Sequence, residues 1–167
     1  MREVVGLVGL RGAGQEVIGR ALFGLHPIDA GRASIGNEPL NVSSPRQAMA
    51  AGVNLVCADR VGESVMPNLS VRENAFINPL AARKGLFSYL APGRESRAAR
   101  ELGQQVGLRP NDPGLAIELL SGGNQQKVVV GRWLHLKSKI YIFEDPTAGV
   151  DVGAKAEIYR LFDVALQ

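Results

Sequence analysis

The chain reads as an α/β protein, a doubly wound core with its ligand groups at the carboxyl ends of the strands. Three observations predict this. The apolar run Val4-Val5-Gly6-Leu7-Val8 leads straight into the glycine-rich turn Gly9-Leu10-Arg11-Gly12-Ala13-Gly14. A second apolar run, Ile140-Tyr141-Ile142-Phe143, ends on two carboxylates, Glu144 and Asp145. Between them, residues 65–117 turn polar and helical, so the order is β-α-β, helical insert, α-β-α.

Each element follows from local pattern. Val4 to Val8 is expected as a buried strand bounded by glycine. Gln15 to Phe23 follows as a helix, with Val17, Ile18, Ala21 and Leu22 at helical spacing and Gly24 ending it. Residues 31–43 carry the turn residues of a short antiparallel excursion. Pro45 to Ala51 is a short helix closed by Gly52, and Val53 to Cys57 is a second buried strand. Ser70-Val71-Arg72-Glu73 has the spacing of a capping box. That predicts a helix to about Asn78, stopped by Pro79. Arg94 to Val106 forms a polar-faced helix ended by Gly107, with Arg94, Arg97 and Arg100 on a solvated face. Ser121 opens the next helix, and a last one spans 153–166 with Ile158, Leu161, Phe162 and Ala165 on its buried stripe. One domain over 1–167 is expected, its core at 1–64 and 118–167 and its helical subdomain at 65–117.

Composition narrows the function. With 167 residues, 46% of them hydrophobic, the chain can bury a core. No run reaches the roughly 20 apolar residues of a membrane span, and no leader is expected before the first strand. The single Cys57 excludes an internal disulfide and fits a reducing compartment. Two histidines and one cysteine form no zinc-type ligand set. The net charge of +3 is scattered along the chain and only 5% of residues are aromatic, so no nucleic-acid partner is expected.

Three motifs carry chemistry. In Leu120-Ser121-Gly122-Gly123-Asn124-Gln125-Gln126-Lys127, Ser121 is a helix N-cap. The glycines let backbone approach a ligand, and the first helical turn offers unpaired N–H groups to a phosphate. Gly9, Gly12 and Gly14 suit a strand-to-helix cradle whose successive N–H groups hold an anion. A full phosphate loop continues with Lys and then Ser or Thr, where this chain has Gln15 and Glu16. A fixed charge about 4 Å from a phosphate is worth on the order of 4 kcal/mol at an effective dielectric near 20. The loop therefore loses a large term, which Glu16 would offset in part by ligating a metal directly. A dinucleotide fingerprint is not met, because Gly12-Ala13-Gly14-Gln15-Glu16-Val17 lacks the third glycine. At the second strand end, Glu144 and Asp145 are suited to holding magnesium and positioning a water for attack on a phosphate.

These pieces, in this order, resemble the ATP-binding domain of ABC transporters. The form of the Ser121–Lys127 signature, with Gly149-Val150-Asp151-Val152-Gly153-Ala154-Lys155, is similar to the second half of the fused ATPases of ribose, xylose and galactose importers. Related nucleoside importers share the pattern. The resemblance implies a P-loop NTPase-like, mainly parallel sheet flanked by helices, with the helical signature subdomain inserted. It implies ATP and Mg2+ as cofactors, with Gly9, Arg11, Gly12, Ala13, Gly14, Gln15 and Glu16 at the nucleotide. Glu144 and Asp145 become the catalytic pair, Glu144 also a magnesium ligand, in reversed order from the family's Asp then Glu. Ser121, Gly122, Gly123 and Gln125 are implied to serve a partner's nucleotide, and Asp151 to be the aspartate that crosses the interface. That aspartate equally suits an N-cap for the last helix. Where the family carries a glutamine touching magnesium, this chain has Ala58, followed by Asp59 and Arg60.

The resemblance also implies partners. They are a second ATP-binding domain in a head-to-tail dimer, transmembrane permease subunits, and indirectly a periplasmic sugar-binding protein. The chain would sit in the cytoplasm, peripheral on the inner face of the membrane. In such ATPases the second half often lacks the loop lysine, as here. The family domain begins earlier and continues further, to another core strand and a switch histidine whose place neither His26 nor His135 takes. A truncated domain is therefore expected, with a gap in its sheet and exposed apolar surface, so that the segment alone is poorly stable or associates with itself.

Overall fold

The computed structural model describes residues 3–10, 12–77 and 92–165. The chain divides into two compact units, Met1–Leu55 with Ser138–Glu144, and Val56–Lys137 with Asp145–Gln167.

In the first unit, helix α1 (Gln15–Leu22) starts from Gly14, which is left-handed at φ 93. That conformation suits a residue without Cβ. Strands β1 (Ser34–Ile35) and β2 (Glu38–Pro39) pair antiparallel, Ser34 opposite Pro39 and Ile35 opposite Glu38. Helix α2 (Pro45–Ala51) is capped by Ser44, whose Oγ accepts the Gln47 N–H, and closes on Gly52 at φ 92. Pro45 opens it where no N–H is needed. Strand β3 (Val53–Val56) is the hydrogen-bonded neighbour of β4 (Ile140–Phe143). The Gly52 carbonyl accepts the N–H groups of Lys139 and Ile140, and Asn54 Nδ2 donates to Ser138 Oγ. These bonds tie the entry of β4 to the end of α2.

One expectation fails here. Val4–Val8 forms no strand and is exposed, Val4 by 74% and Val8 by 94%. An extended run becomes a strand only where a neighbour completes its hydrogen bonds. Among the described residues no strand pairs with it. In α1, Val17 and Ile18 are exposed, while Gly19 and Phe23 are buried. A Cβ on Gly19 would lie 2.9 Å from Ile142 Cγ2, so the bare backbone at Gly19 sets which helix face meets β4.

The second unit is helical. Asp59 caps a π-helical turn, Arg60–Ser64, by accepting the Gly62 N–H. Helix α3 (Val71–Ala75) carries the capping box in full, Ser70 Oγ accepting the Glu73 N–H and the Glu73 carboxylate accepting the Ser70 N–H at 2.8 Å. Helix α4 (Pro92–Gln105) is followed by Gly107 at φ 64 and presents exposed Arg94, Arg97 and Arg100, as its spacing predicts. A 3-10 turn, Ile117–Leu119, leads to α5 (Gly122–Leu134), and α6 (Val152–Ala165) comes last. Helix α5 is central, packed against α3, α4 and α6, with every residue from Gln126 to Arg132 buried. Ile158 and Leu161 of α6 are buried as expected, and the Ala165 side chain lies outside the described residues.

Helix α3 ends at Ala75, short of the predicted Asn78; Asn78 and Pro79 lie outside the described residues. The cause is a competing bond. Arg132 Nε donates to the Asn74 carbonyl at 2.7 Å and Nη1 to the Ser64 carbonyl at 2.9 Å. A captured carbonyl, with Phe76 already at φ −121, stops the helix. Burial pushes the Arg132 guanidinium down to about 10, so it stays charged at neutral pH. Asn74 itself bonds Met66, Leu69 and Ser70 and so holds the loop before α3. Among the described residues no helix is long and apolar enough to cross a membrane.

Candidate functional site

The glycine loop lies in the first unit. Gly12 and Gly14 have φ of 82 and 93, and a Cβ on either would meet nothing within 4 Å. The Ala13 N–H bonds the Leu10 carbonyl at 2.9 Å, which turns the chain into α1. The N-cap Gly14 provides no side-chain cap, so the first amides of α1 are open to a ligand. Arg11 lies outside the described residues. Gln15, in the lysine's place, folds back until its Oε1 lies 2.8 Å from where a Gly9 Cβ would be. That oxygen is buried and accepts no hydrogen bond among the described residues. A neutral amide thus stands at the position where a full phosphate loop has lysine. Glu16 is exposed on the first turn.

The end of β4 carries an ion pair. Glu144 Oε1 accepts Arg20 Nε at 3.1 Å, and Oε2 accepts Arg20 Nη2 at 3.1 Å. The Glu144 side chain is only 8% exposed. The fork is bidentate, the strongest geometry for a guanidinium and a carboxylate. Glu144 is thus an ion-pair partner of α1, with both carboxylate oxygens engaged by Arg20. With Glu144 engaged by Arg20, Gln15 uncharged and Glu16 exposed, the described residues of the loop do not fit a magnesium site. Asp145, exposed and at φ 34, opens the next turn, its carbonyl accepting the Ala148 N–H at 2.9 Å.

The signature segment is built differently, within the second unit. Ser121 is the N-cap of α5; its Oγ accepts the Asn124 N–H at 3.5 Å and Asn124 Nδ2 at 2.9 Å. Asn124 Oδ1 in turn accepts the Arg109 N–H. Gln125, expected at a partner's nucleotide, has both amide ends in use. Its Nε2 donates to the Ile117 and Leu120 carbonyls, and its Oε1 accepts Arg60 Nε at 3.2 Å. It fixes the entry loop to the helix. Arg60 Nη2 would lie 2.9 Å from a Cβ on Gly122, so a guanidinium flanks the first turn of α5. Burial lowers the Arg60 pKa and Asp59 partly restores it.

Gly123 has a packing reason of its own, since a Cβ there would meet Ala154 Cβ at 2.6 Å. Asp151 Oδ1 accepts the Ala154 N–H at 2.9 Å and caps α6. Asp151 Oδ2 lies 3.7 Å from a Cβ on Gly123, beside the signature helix. Buried Lys127 donates to the Gly107 carbonyl at 2.8 Å and pairs with Glu157 of α6. Ser121, Gly122, Gly123, Gln125 and Asp151 are thus brought together at one helix tip. Sequence reading missed Arg20 and the approach of Arg60 to that tip. The only signals were a basic residue in the last turn of α1 and the extra methylene of Glu144.

Comparison with known proteins gives the family and the fold. The family model described as ABC transporter matches residues 1–148. The chain is 42% identical over 159 residues to a putative ribose/galactose/methyl galactoside import ATP-binding protein of Agrobacterium fabrum, covering 95% of this chain and 32% of that protein. It is 43% identical over 161 residues to a ribose import ATP-binding protein of Rubrobacter xylanophilus, covering 96% and 32%. The chain spans about a third of the length of the curated relatives it matches. Among solved structures, cbiO1 of Clostridium perfringens, part of an ABC transporter complex, superposes with a TM-score of 0.69 at 19% identity over 95% of this chain and 62% of that one. A dimeric ATP-binding cassette in a post-hydrolysis state, bound to ADP and Pi, gives 0.70 at 21% identity over 91% and 64%. These two likenesses show the fold.

Proposed function

The chain belongs to the ABC transporter family, and from that premise we propose that it is the degenerate ATP-binding domain of a bacterial importer for a ribose- or galactose-type sugar. The names of its relatives support the sugar class. In this reading ATP is bound and hydrolysed mainly at a partner domain with an intact phosphate loop, which also holds the Mg2+ that neutralises phosphate charge. This chain supplies Ser121, Gly122 and Gly123, whose helix-tip amides grip the terminal phosphate. Gln125 acts by fixing that tip, and Asp151 reaches toward the partner from the start of α6. Glu144 and Asp145 hold the catalytic positions by motif, but their own loop turns over little ATP. The domain attaches to permease subunits on the cytoplasmic face of the membrane, through the insert at 65–117.

One observation carries the reading. The signature tip is complete and cross-braced, whereas the loop has Gln15 for a cation and its acidic strand end is engaged by Arg20. The test is ATP turnover by the full chain alone and mixed with the partner domain. Turnover is expected only in the mixture, and Gly122→Asp in this chain should abolish it. Substantial turnover by this chain alone defeats the reading.

The same loop favours a second reading, a non-catalytic half that presents the signature and binds no nucleotide of its own. ATP affinity of the parent and of Gly12→Asp separates the two. Transport assays with ribose, galactose and nucleosides decide the cargo.

A further inference from the structure

We propose that Arg20 replaces the divalent cation at Glu144, so that the loop at 9–16 takes phosphate groups without a metal ion. The proposal rests on the reading of that loop as a phosphate site. Its carrier is the fork between α1 and β4, with both carboxylate oxygens bound by one guanidinium and the carboxylate 8% exposed. Side-chain length explains why this chain can form it. Glutamate is one methylene longer than aspartate and carries the carboxylate from β4 to Arg20. Gly19 lets helix and strand come close enough, since a Cβ there would meet Ile142 at 2.9 Å. A divalent ion would have to strip Glu144 from Arg20 and leave a guanidinium beside a dication. Arg20 thus neutralises Glu144 permanently, as part of the fold.

The proposal also accounts for the reversed order of the acidic pair. With a metal-free loop, the carboxylate at 144 has a structural partner rather than a metal to hold.

Mn2+ is the probe, followed by electron paramagnetic resonance on the full chain with and without ATP. The parent should show no bound Mn2+ that Glu144→Gln removes. Arg20→Met frees the carboxylate and should tighten Mn2+ binding by about tenfold, and Arg20→Met with Glu144→Gln should cancel the gain. Glu144→Asp, too short for the fork and the gentler change to the fold, should give a gain of about threefold. Circular dichroism melts confirm that each variant is folded. A parent Mn2+ site lost in Glu144→Gln overturns the proposal, as does the absence of any gain in both folded Arg20→Met and Glu144→Asp. ATP affinity provides a separate arm. If Gly12→Asp leaves it unchanged, the phosphate-loop reading fails, while the Mn2+ comparison still decides the role of Arg20.

Discussion

The loop before α1 and the segment before α5 are the same device, a turn that delivers the free amides of a helix tip, yet they are supported in opposite ways. Before α1 the cap is a glycine with no side-chain bond, space around Gly12 and Gly14 is open, and Gln15 has a buried oxygen with no partner among the described residues. Before α5 the cap is Ser121, Gln125 bonds at both ends, and Gly123 packs against Ala154. Free amides alone do not make a durable phosphate platform. The neighbours that hold them still, and the charge placed beside them, decide which tip serves chemistry.

The largest expected effect tests whether the second region is as firmly built as its bonds suggest. Arg132→Met leaves the Ser64 and Asn74 carbonyls buried without donors. It should cost about 3 kcal/mol in urea denaturation of the full chain. A loss below about 1 kcal/mol would remove Arg132 as the brace behind α5.

Gly123→Val puts a side chain against Ala154 and should cost about 2 kcal/mol. It should also abolish ATP turnover in the mixture with the partner domain. The loop behaves otherwise: Gly12→Ala meets no neighbour and should cost about 1 kcal/mol through its positive φ alone. Equal costs at the two glycines would erase the contrast in packing.

Ser121→Ala and Ser44→Ala each remove a cap and should each cost about 1 kcal/mol by thermal melting. Only the first should slow turnover in the mixture. Matching turnover losses would mean that the caps act through stability alone.

The smallest effect is on pH. A hydrogen bond from Lys127, and then its charge, hold the Glu157 carboxyl below the ordinary 4.5. Its folded value lies under its unfolded one, so this stabilisation is complete above about pH 4.5 and is lost as pH falls through the folded value. Melting curves between pH 3 and 6 should show an acid-side slope that Lys127→Met reduces. The effect is modest, since Glu157 is half exposed.

Much of this was legible in the chain. The Ser70 capping box, the Pro45 start and Gly52 stop of α2, and the Ser121 cap appear where local pattern puts them. Each depends on residues within three or four positions of one another. The run at Val4–Val8 was misread because strand formation needs a neighbour that pattern cannot supply. The inward face of α1 was not legible, because Gly19, with no side chain, counts for nothing in a hydrophobic pattern yet sets the closest approach. Residues 20 and 144 lie 124 positions apart, and nothing local couples them.

By itself, then, the sequence determined the caps, the glycine stop of α2 and the family, because these are written in short-range spacing and in motifs. Only the tertiary structure decided that Arg20 engages Glu144, that Gln125 braces the signature tip, and that Arg132 ends α3. Those outcomes depend on which long side chains reach which partners once distant segments pack, and reach is a property of the folded chain.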